Sequence, residues 1–261
     1  MYCPLSKTHQ IAFIAAVFSL SLTLPVDAYA ADCQDLPTQA ELTQALKQSI
    51  KPSGGPSNGG LDLPMWAAAV NRAGEVCVVA RSGDKPGDQW PGSRVISAQK
   101  ANTANAFSLP GLALATANLW SPTQPGGSLF GLQLSNPVDP AVAYAGKFET
   151  YGTAQDPLKG KKVGGVNVFG GGLALYGKDG RLLGAMGVSG DTSCADHNIA
   201  WRVRAALKLD KVPGGVNSAN KNDGIIYDLG QDGKSAGGFG HPLCGGKEAE
   251  IAQQIGAGTK P

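Results

Sequence analysis

The spacing of apolar residues predicts an amphipathic helix soon after residue 34. Thr38 is followed three residues later by Glu41, a pairing that satisfies free backbone N–H groups where a helix begins. Apolar side chains then recur every four residues and share one helical face: Leu42, Leu46 and Ile50. A loop rich in glycine and proline, residues 52–60, ends this element.

Two stretches of the chain repeat one order of elements, a β-hairpin that leads into a helix. The first hairpin is predicted over residues 65–81 and its helix over residues 93–109. The second hairpin is predicted over residues 173–188, around an Asp-Gly turn, and its helix over residues 194–209. Because hairpins pair antiparallel, the sequence predicts an α+β fold in which helices flank an antiparallel sheet.

Two further segments have only weak periodicity. Residues 110–162 are rich in glycine and proline and predict a long surface excursion, a kind of segment that often serves function or oligomer contacts. Residues 210–261 predict a tail with a short strand at 224–229 and a terminal helix at 248–255. Residues 31–261 are therefore expected to form one domain with an insertion and a C-terminal extension.

The first thirty residues predict a signal peptide. Lys7 precedes an apolar run of fourteen residues, Ile11 to Leu24, and Ala28-Tyr29-Ala30 supplies small residues that signal peptidase accepts. As a helix this run would span about 21 Å, short of the roughly 30 Å hydrocarbon core of a bilayer. Cleavage after Ala30 is favoured over a membrane anchor, and the rest of the chain is expected to be periplasmic or secreted, without membrane contact.

The cysteine content fits an exported protein with two disulfides. Of five cysteines, Cys3 would leave with the signal peptide and four would remain. Three pairings are possible, and we favour Cys33–Cys77 and Cys194–Cys244. The first would tie the N-terminal segment to a strand, and the second would tie the tail to a helix start. A zinc site is the disfavoured alternative, because no C-x-x-C spacing occurs.

Composition and motifs narrow the classes of function. The formal net charge is +2 without a tract of Lys or Arg, which gives no support to nucleic-acid binding. No H-E-x-x-H, P-loop or dinucleotide-binding glycine motif is present. Ser97-x-x-Lys100 matches one motif of serine acyl-transfer enzymes without its companions, and the sequence around Ser189 lacks the last glycine of a nucleophile elbow. A serine hydrolase is therefore a weak alternative.

Two sequence blocks carry a resemblance to a known family. The first is AAAVNRAGEVCVVARSGD, leading into SAQKANTANAF, and the second is GGLALYGKDGRLLGAMGVSGDTSCADHNIAW. Together they resemble the GlcG/HbpS family of heme-binding-like proteins, over residues 38–109 and 165–209. The resemblance implies a profilin-like fold, usually oligomeric, and some members are similar to exported proteins that bind heme. The chain departs from the family in its longer excursion and tail, and in Asn71, where an acid is usual.

Histidine is a common ligand of heme iron, which makes His197 the candidate metal ligand. His197 follows the glycine-rich strand end and lies beside Asp196. The alternative for His197 is a local structural role at the helix start. His241 is expected to have a structural role. Lys100 and Thr103 lie one helical turn apart and could line a pocket, while glycine-rich strand ends could hold an anionic group such as a propionate. The predicted ligand-binding set is His197, Lys100, Thr103, Asp196, Gly171, Gly172, Ser189 and Gly190.

These observations predict an exported, homo-oligomeric protein whose partner is a small molecule, with heme or another tetrapyrrole as the leading ligand. His197 and the helix that carries Lys100 are expected to face a shared cavity. The main alternative is a non-catalytic oligomeric accessory module of a periplasmic redox or transport system.

Overall fold

The computed structural model describes residues 32–52 and 57–260, and its strands form one antiparallel sheet in the order β2-β1-β4-β3. The strands are β1 (Trp66–Asn71), β2 (Val76–Arg81), β3 (Gly172–Tyr176) and β4 (Leu182–Ser189). The helices are α1 (Gln39–Ile50), α2 (Ser93–Phe107), α3 (Leu132–Ser135), α4 (Pro140–Ala143), α5 (Ser193–Ala206) and α6 (Glu248–Gln254). The predicted signal peptide lies outside the described residues.

Strands β1 and β4 form the centre of the sheet and join the two predicted hairpins. They pair antiparallel from Trp66 opposite Ser189 to Asn71 opposite Gly184. Every strand residue is buried except Arg81, at the end of β2. Because helices cover both faces, the strands read as apolar runs rather than as an alternation of apolar and polar residues. The predicted α+β class, with helices flanking an antiparallel sheet, is confirmed.

The two faces of the sheet carry different helices. Trp66, Ala68 and Val70 of β1 pack in one apolar cluster with residues of α2. Ala67 and Ala69 point to the opposite face and pack in a second cluster with residues of α1 and α5. Alternate residues of a strand face opposite sides, so α2 and α5 lie on opposite faces of the sheet.

Two glycines are required by the way the hairpins and helices meet. A Cβ at Gly187 of β4 would lie 2.0 Å from the carbonyl oxygen of Ser97, so only glycine lets α2 approach this closely. Gly74 has a φ of +76° in the first hairpin turn, a left-handed conformation that glycine adopts without a steric penalty. In the same turn the side-chain oxygen of Asn71 accepts the N–H of Glu75 at 3.0 Å, which is a role an acidic side chain could also fill.

Residues 110–162, here called the excursion, are held against α2 by a buried ion pair. The Arg94 guanidinium donates from Nε to Asp156 Oδ2 at 2.9 Å, and both side chains are 1% exposed. The guanidinium also lies over the ring of Tyr151, 3.5 Å from its centroid. Asp156 in turn accepts the N–H groups of Gly152 and Leu158 at 2.7 and 2.9 Å. The excursion thus packs on α2, and its regular structure is limited to short helices.

Residues 210–261, here called the tail, are held against α5 in a similar way. Arg204 makes a bidentate ion pair with Asp223, at 2.6 and 2.8 Å, and its guanidinium lies over the ring of Trp201. The Cys194–Cys244 disulfide is a second tether. The terminal helix is present as α6.

The predicted strand at 224–229 is wrong. Its residues make only isolated bridges, Ile225 with Gly258 and Leu229 with Ser235, because they pair with other parts of the tail instead of joining the sheet. Within the described part of the chain, none of the helices combines the length and the apolar character that crossing a bilayer requires.

Candidate functional site

Lys100 and Asp196 meet in the core although they come from helices on opposite faces of the sheet. Lys100 Nζ donates to Asp196 Oδ2 at 2.6 Å and to the carbonyl oxygen of Val188 at 3.1 Å. The Lys100 and Asp196 side chains are only 1% and 3% exposed. The two residues are joined to each other, and they do not line an open cavity.

Burial perturbs both members of this pair. Burial lowers the pKa of the Lys100 ammonium, and the Asp196 charge and hydrogen bond oppose that shift. Burial raises the pKa of Asp196 to about 7, opposed by Lys100 and by the N–H of Asp191, which donates to Asp196 at 2.9 Å. The ion pair therefore carries a large desolvation cost that its hydrogen bonds only partly offset.

Gly171 and Gly172 pack tightly against groups that surround the Lys100–Asp196 pair. A Cβ at Gly171 would lie 2.4 Å from the carbonyl oxygen of Val188 and 3.0 Å from Asp196 Cβ. At Gly172 the N–H donates to Thr116 Oγ1 at 2.9 Å, so it is already used within the protein. These glycines serve close packing around the ion pair.

β4 ends at Ser189, and two residues later the Asp191 carboxylate accepts hydrogen bonds from backbone N–H groups of the chain itself. The Asp191 carboxylate accepts the N–H of Leu61 at 2.8 Å and that of Thr192 at 2.6 Å. Ser189 is buried in the sheet. Neither of these donors belongs to Ser189 or Gly190, and the anionic ligand predicted for this strand end stays a prediction.

Thr103 is also internal to the fold. Its hydroxyl donates to the Gln99 carbonyl oxygen at 2.8 Å and accepts the N–H of Asn167 at 3.0 Å. These bonds connect α2 to the segment before β3. Thr103 is fully buried, and its two hydrogen bonds lead away from the Lys100–Asp196 pair.

His197 lies beneath the tail. Its Nε2 is 3.0 Å from the Ala257 carbonyl oxygen and 3.2 Å from the Ile225 amide nitrogen, and the side chain has no exposure. Nδ1 is buried without a hydrogen-bond partner among the described residues. Burial lowers the pKa of His197 to about 4, which keeps the ring neutral at pH 7.

With the tail packed over His197, its surroundings do not fit a bound heme. A heme iron needs an open ring nitrogen and a slot beside it for the macrocycle. The Nε2 edge is covered by Ile225 and Ala257, and the ring lies 6.0 Å from that of Trp201, centroid to centroid. The shared cavity expected for His197 and the Lys100 helix is therefore filled by protein.

A second polar cluster, which the sequence reasoning did not assemble, lies where the tail crosses the start of α5. His241 Nε2 lies 2.8 Å from Ser193 Oγ, and His241 Nδ1 lies 2.7 Å from the Pro242 carbonyl oxygen and 3.9 Å from Cys194 Sγ. Burial lowers the pKa of His241 to about 4. The three-residue spacing of His241 and Cys244 was the sequence signal that could have pointed to this cluster.

The structure also shows how the cysteines pair and whether the candidate serine Ser97 is accessible. The structure contains both favoured pairs, Cys33–Cys77 and Cys194–Cys244. Ser97 is fully buried and donates to the Arg94 carbonyl oxygen at 2.7 Å. It therefore has no accessible hydroxyl for a hydrolase reaction.

Comparison with known proteins identifies the family. A family model described as "Haem degrading protein HbpS-like" matches residues 57–205, which include both hairpins and nearly all of α5. Among curated proteins, none matches the chain. The resemblance seen in the two sequence blocks is confirmed.

Three solved structures are similar to the chain. A PduOC:heme complex has 26% identity and a TM-score of 0.46, covering 70% of this chain and 98% of its own. Protein ORFY of Klebsiella pneumoniae has 22% identity and a TM-score of 0.42, with coverages of 66% and 90%. A double mutant of Streptomyces reticuli HbpS has 17% identity and a TM-score of 0.42, with coverages of 76% and 99%. On the family match over more than half of its length, the chain belongs to the HbpS-like family.

Proposed function

We propose that this protein is an exported binding protein for heme or another tetrapyrrole. The observation that carries the proposal is the family match over residues 57–205, whose description names a haem degrading protein. The proposal of export rests on the N-terminal sequence pattern. The mass of the protein recovered from the periplasm checks it, and a chain beginning at residue 31 is the expected result.

His197 is the proposed iron ligand, and it becomes available only when the tail moves. In this structure Ile225 and Ala257 cover Nε2, so a ligand has to displace both before it meets the ring. The tail is held by a buried ion pair and by a disulfide. Hemin binding is therefore expected to be slow, with a rate limited by opening of the tail.

A hemin titration of the purified, oxidised protein tests this proposal. The expected result is a shifted Soret band at one hemin per chain, which His197→Ala abolishes and His241→Ala leaves intact. The two variants are matched, because each removes a buried histidine from the contact between α5 and the tail. An unchanged hemin spectrum at stoichiometric protein would refute heme binding. A Soret shift that persists in His197→Ala would refute the role of His197.

Exposed apolar side chains on the excursion favour the second candidate, an oligomeric accessory module. Phe130, Leu134 and Tyr144 are 63%, 86% and 67% exposed. Such side chains are expected at an interface between copies of the chain. Light scattering on Leu134→Lys tests this, with Leu243→Lys as a control on the tail. A homo-oligomer that dissociates only in the first variant supports the module, and a monomeric wild type refutes it.

A further inference from the structure

Three potential metal ligands converge where the tail crosses α5. Cys194 lies in the first turn of α5, and His241 and Cys244 lie in the tail, three residues apart. Their ligand atoms all lie within 4.8 Å of one another. Cys194 and His241 are buried, and Cys244 is partly exposed. Among the residues that the structure describes, this is the one group of three such side chains at this spacing.

We propose that reduction of the Cys194–Cys244 disulfide converts this cluster into a binding site for a thiophilic cation such as Zn²⁺. A dithiol reductant supplies two electrons and two protons, the sulfur–sulfur bond breaks, and the reductant becomes a disulfide. The cation then replaces the two thiol protons, which pass to solvent, and the ring nitrogen of His241 supplies a third ligand. Two thiolates and one imidazole are donors that zinc prefers, with solvent in the fourth position.

The spacing of the cluster suits tetrahedral zinc. With Zn–S near 2.3 Å and Zn–N near 2.0 Å, tetrahedral sulfur and nitrogen ligands are about 3.5 Å apart. His241 Nδ1 and Cys194 Sγ are already 3.9 Å apart. The two sulfurs have to separate when their bond breaks, and Cys244 lies in a loop outside the helices and strands.

Groups around the cluster support metal binding in the reduced state. The N–H of Cys194 points at Cys244 Sγ across 3.2 Å, and a helix N-terminus favours the thiolate over the thiol. Ser193 Oγ is the partner of His241 Nε2. With Nδ1 bound to the cation, the ring proton moves to Nε2 and is donated to Ser193, an outer-shell bond of the kind that orients metal-bound histidine.

The cluster also has a route to solvent. A cavity of about 260 Å³ lies beside it, lined by Cys244 together with Leu243, Glu248 and Glu250. Glu250 is exposed, so its negative charge attracts cations toward the partly exposed sulfur. The same opening admits a reductant to Cys244.

The Ser193–His241 contact has a second possible use, as a nucleophile and its base. Two features weigh against that use. Ser193 Oγ already accepts the N–H of Gly170 at 2.7 Å, and His241 Nδ1 faces the Pro242 carbonyl oxygen where a hydrolase has a carboxylate. A metal site explains why His241 and both sulfurs lie together, whereas a nucleophile and base would involve only His241 of these three residues.

A cobalt titration of the reduced protein tests the proposal. After anaerobic reduction and removal of the reductant, Co²⁺ is expected to bind at one per chain, with thiolate-to-cobalt charge transfer and the strong visible bands of tetrahedral cobalt. Zn²⁺ should displace it. The double variant C194S/C244S should lose these bands, whereas the matched control C33S/C77S should keep them. His241→Ala should weaken cobalt binding at least about 10-fold, the effect of losing even an outer-shell partner.

Alkylation of the unaltered protein gives a second readout that needs no variant to fold. Zn²⁺ should protect Cys194 and Cys244 of the reduced protein from iodoacetamide and leave Cys33 and Cys77 unprotected. The proposal is overturned if no tetrahedral cobalt spectrum forms, if His241→Ala binds cobalt as tightly as wild type, or if Zn²⁺ protects all four cysteines equally. Because no heme is present in either experiment, these outcomes are independent of the proposed heme binding.

Discussion

The excursion and the tail are both attached to the core by a buried arginine–aspartate ion pair, yet they cover different residues. Each is held by a buried arginine on a helix and an aspartate on the added segment, Arg94 with Asp156 and Arg204 with Asp223. Each guanidinium also stacks over an aromatic ring. The excursion covers the apolar face of α2, whereas the tail covers His197.

The tail has a second, covalent attachment to the core, which the excursion lacks. The Cys194–Cys244 disulfide binds the tail to α5, while the excursion contains no cysteine. Reduction therefore changes the attachment of the tail and leaves that of the excursion unchanged. Of the two added segments, only the one over His197 has an attachment that a reductant can break.

The largest expected effect comes from breaking each ion pair. Asp156→Ala and Asp223→Ala should each lower the free energy of unfolding by about 3–5 kcal/mol, because each leaves an arginine buried without its partner. Urea denaturation measures this loss. Only Asp223→Ala should also speed modification of His197 by diethyl pyrocarbonate. Equal His197 reactivity in the two variants would contradict the assignment of the tail as its cover.

The hairpins, helices and disulfide pairs could be predicted because their signals are local or few in number. The Thr38–Glu41 capping box appears in the sequence and in the structure alike. The ion pairs could not be predicted, because Lys100 and Asp196 are separated by 96 residues and no local pattern links them.

The cover over His197 also escaped prediction for a physical reason. Residues 224–229 are an apolar run that suits a sheet edge or a contact with another segment equally well, and periodicity does not distinguish the two. The structure uses Ile225 for the second purpose, against Ala257 and His197. His197, which the sequence placed at a helix start as a candidate ligand, is therefore buried by a segment that follows it in the chain.

The second prediction compares the two disulfides. The pairs span 50 and 44 residues, so the chain-entropy argument gives each about 4 kcal/mol of stabilisation. C194A/C244A and C33A/C77A should lose similar stability in urea. Hemin association should become at least about 10-fold faster only in C194A/C244A, if tail opening limits the rate. Equal rates in the two variants would contradict a gating role for the tail.

The third prediction concerns acid. His197 and His241 have pKa values lowered to about 4, so unfolding takes up protons as the pH falls below about 6.5, and the stability present above that pH is lost toward pH 4. Each contributes a slope of up to about 1.4 kcal/mol per pH unit. Asp196, with its pKa raised to about 7, acts in the opposite direction, because its folded form retains a proton between pH 4 and 7.

Urea denaturation at several pH values measures the balance between these groups. Asp196→Asn should steepen the loss of stability between pH 6.5 and 4, since it removes the opposing proton. His197→Gln should flatten it, and His241→Gln should flatten it by a similar amount. If the pH dependence stays the same in all three variants, these buried groups do not control acid stability.

The smallest effect is expected for an exposed arginine–aspartate pair whose N···O distance is close to those of the two buried pairs. Arg181 lies 2.6 Å from Asp35, and the two side chains are 48% and 46% exposed. Water and salt screen such a pair, and its long side chains lose rotamer freedom when they bond. Arg181→Ala should therefore leave the urea midpoint unchanged within error, whereas Arg204 and Arg94 cannot be replaced without a large loss. A substantial midpoint shift in Arg181→Ala would mean that the hydrogen-bonded contact itself, and not its burial, accounts for the stability that the two buried arginine–aspartate pairs contribute.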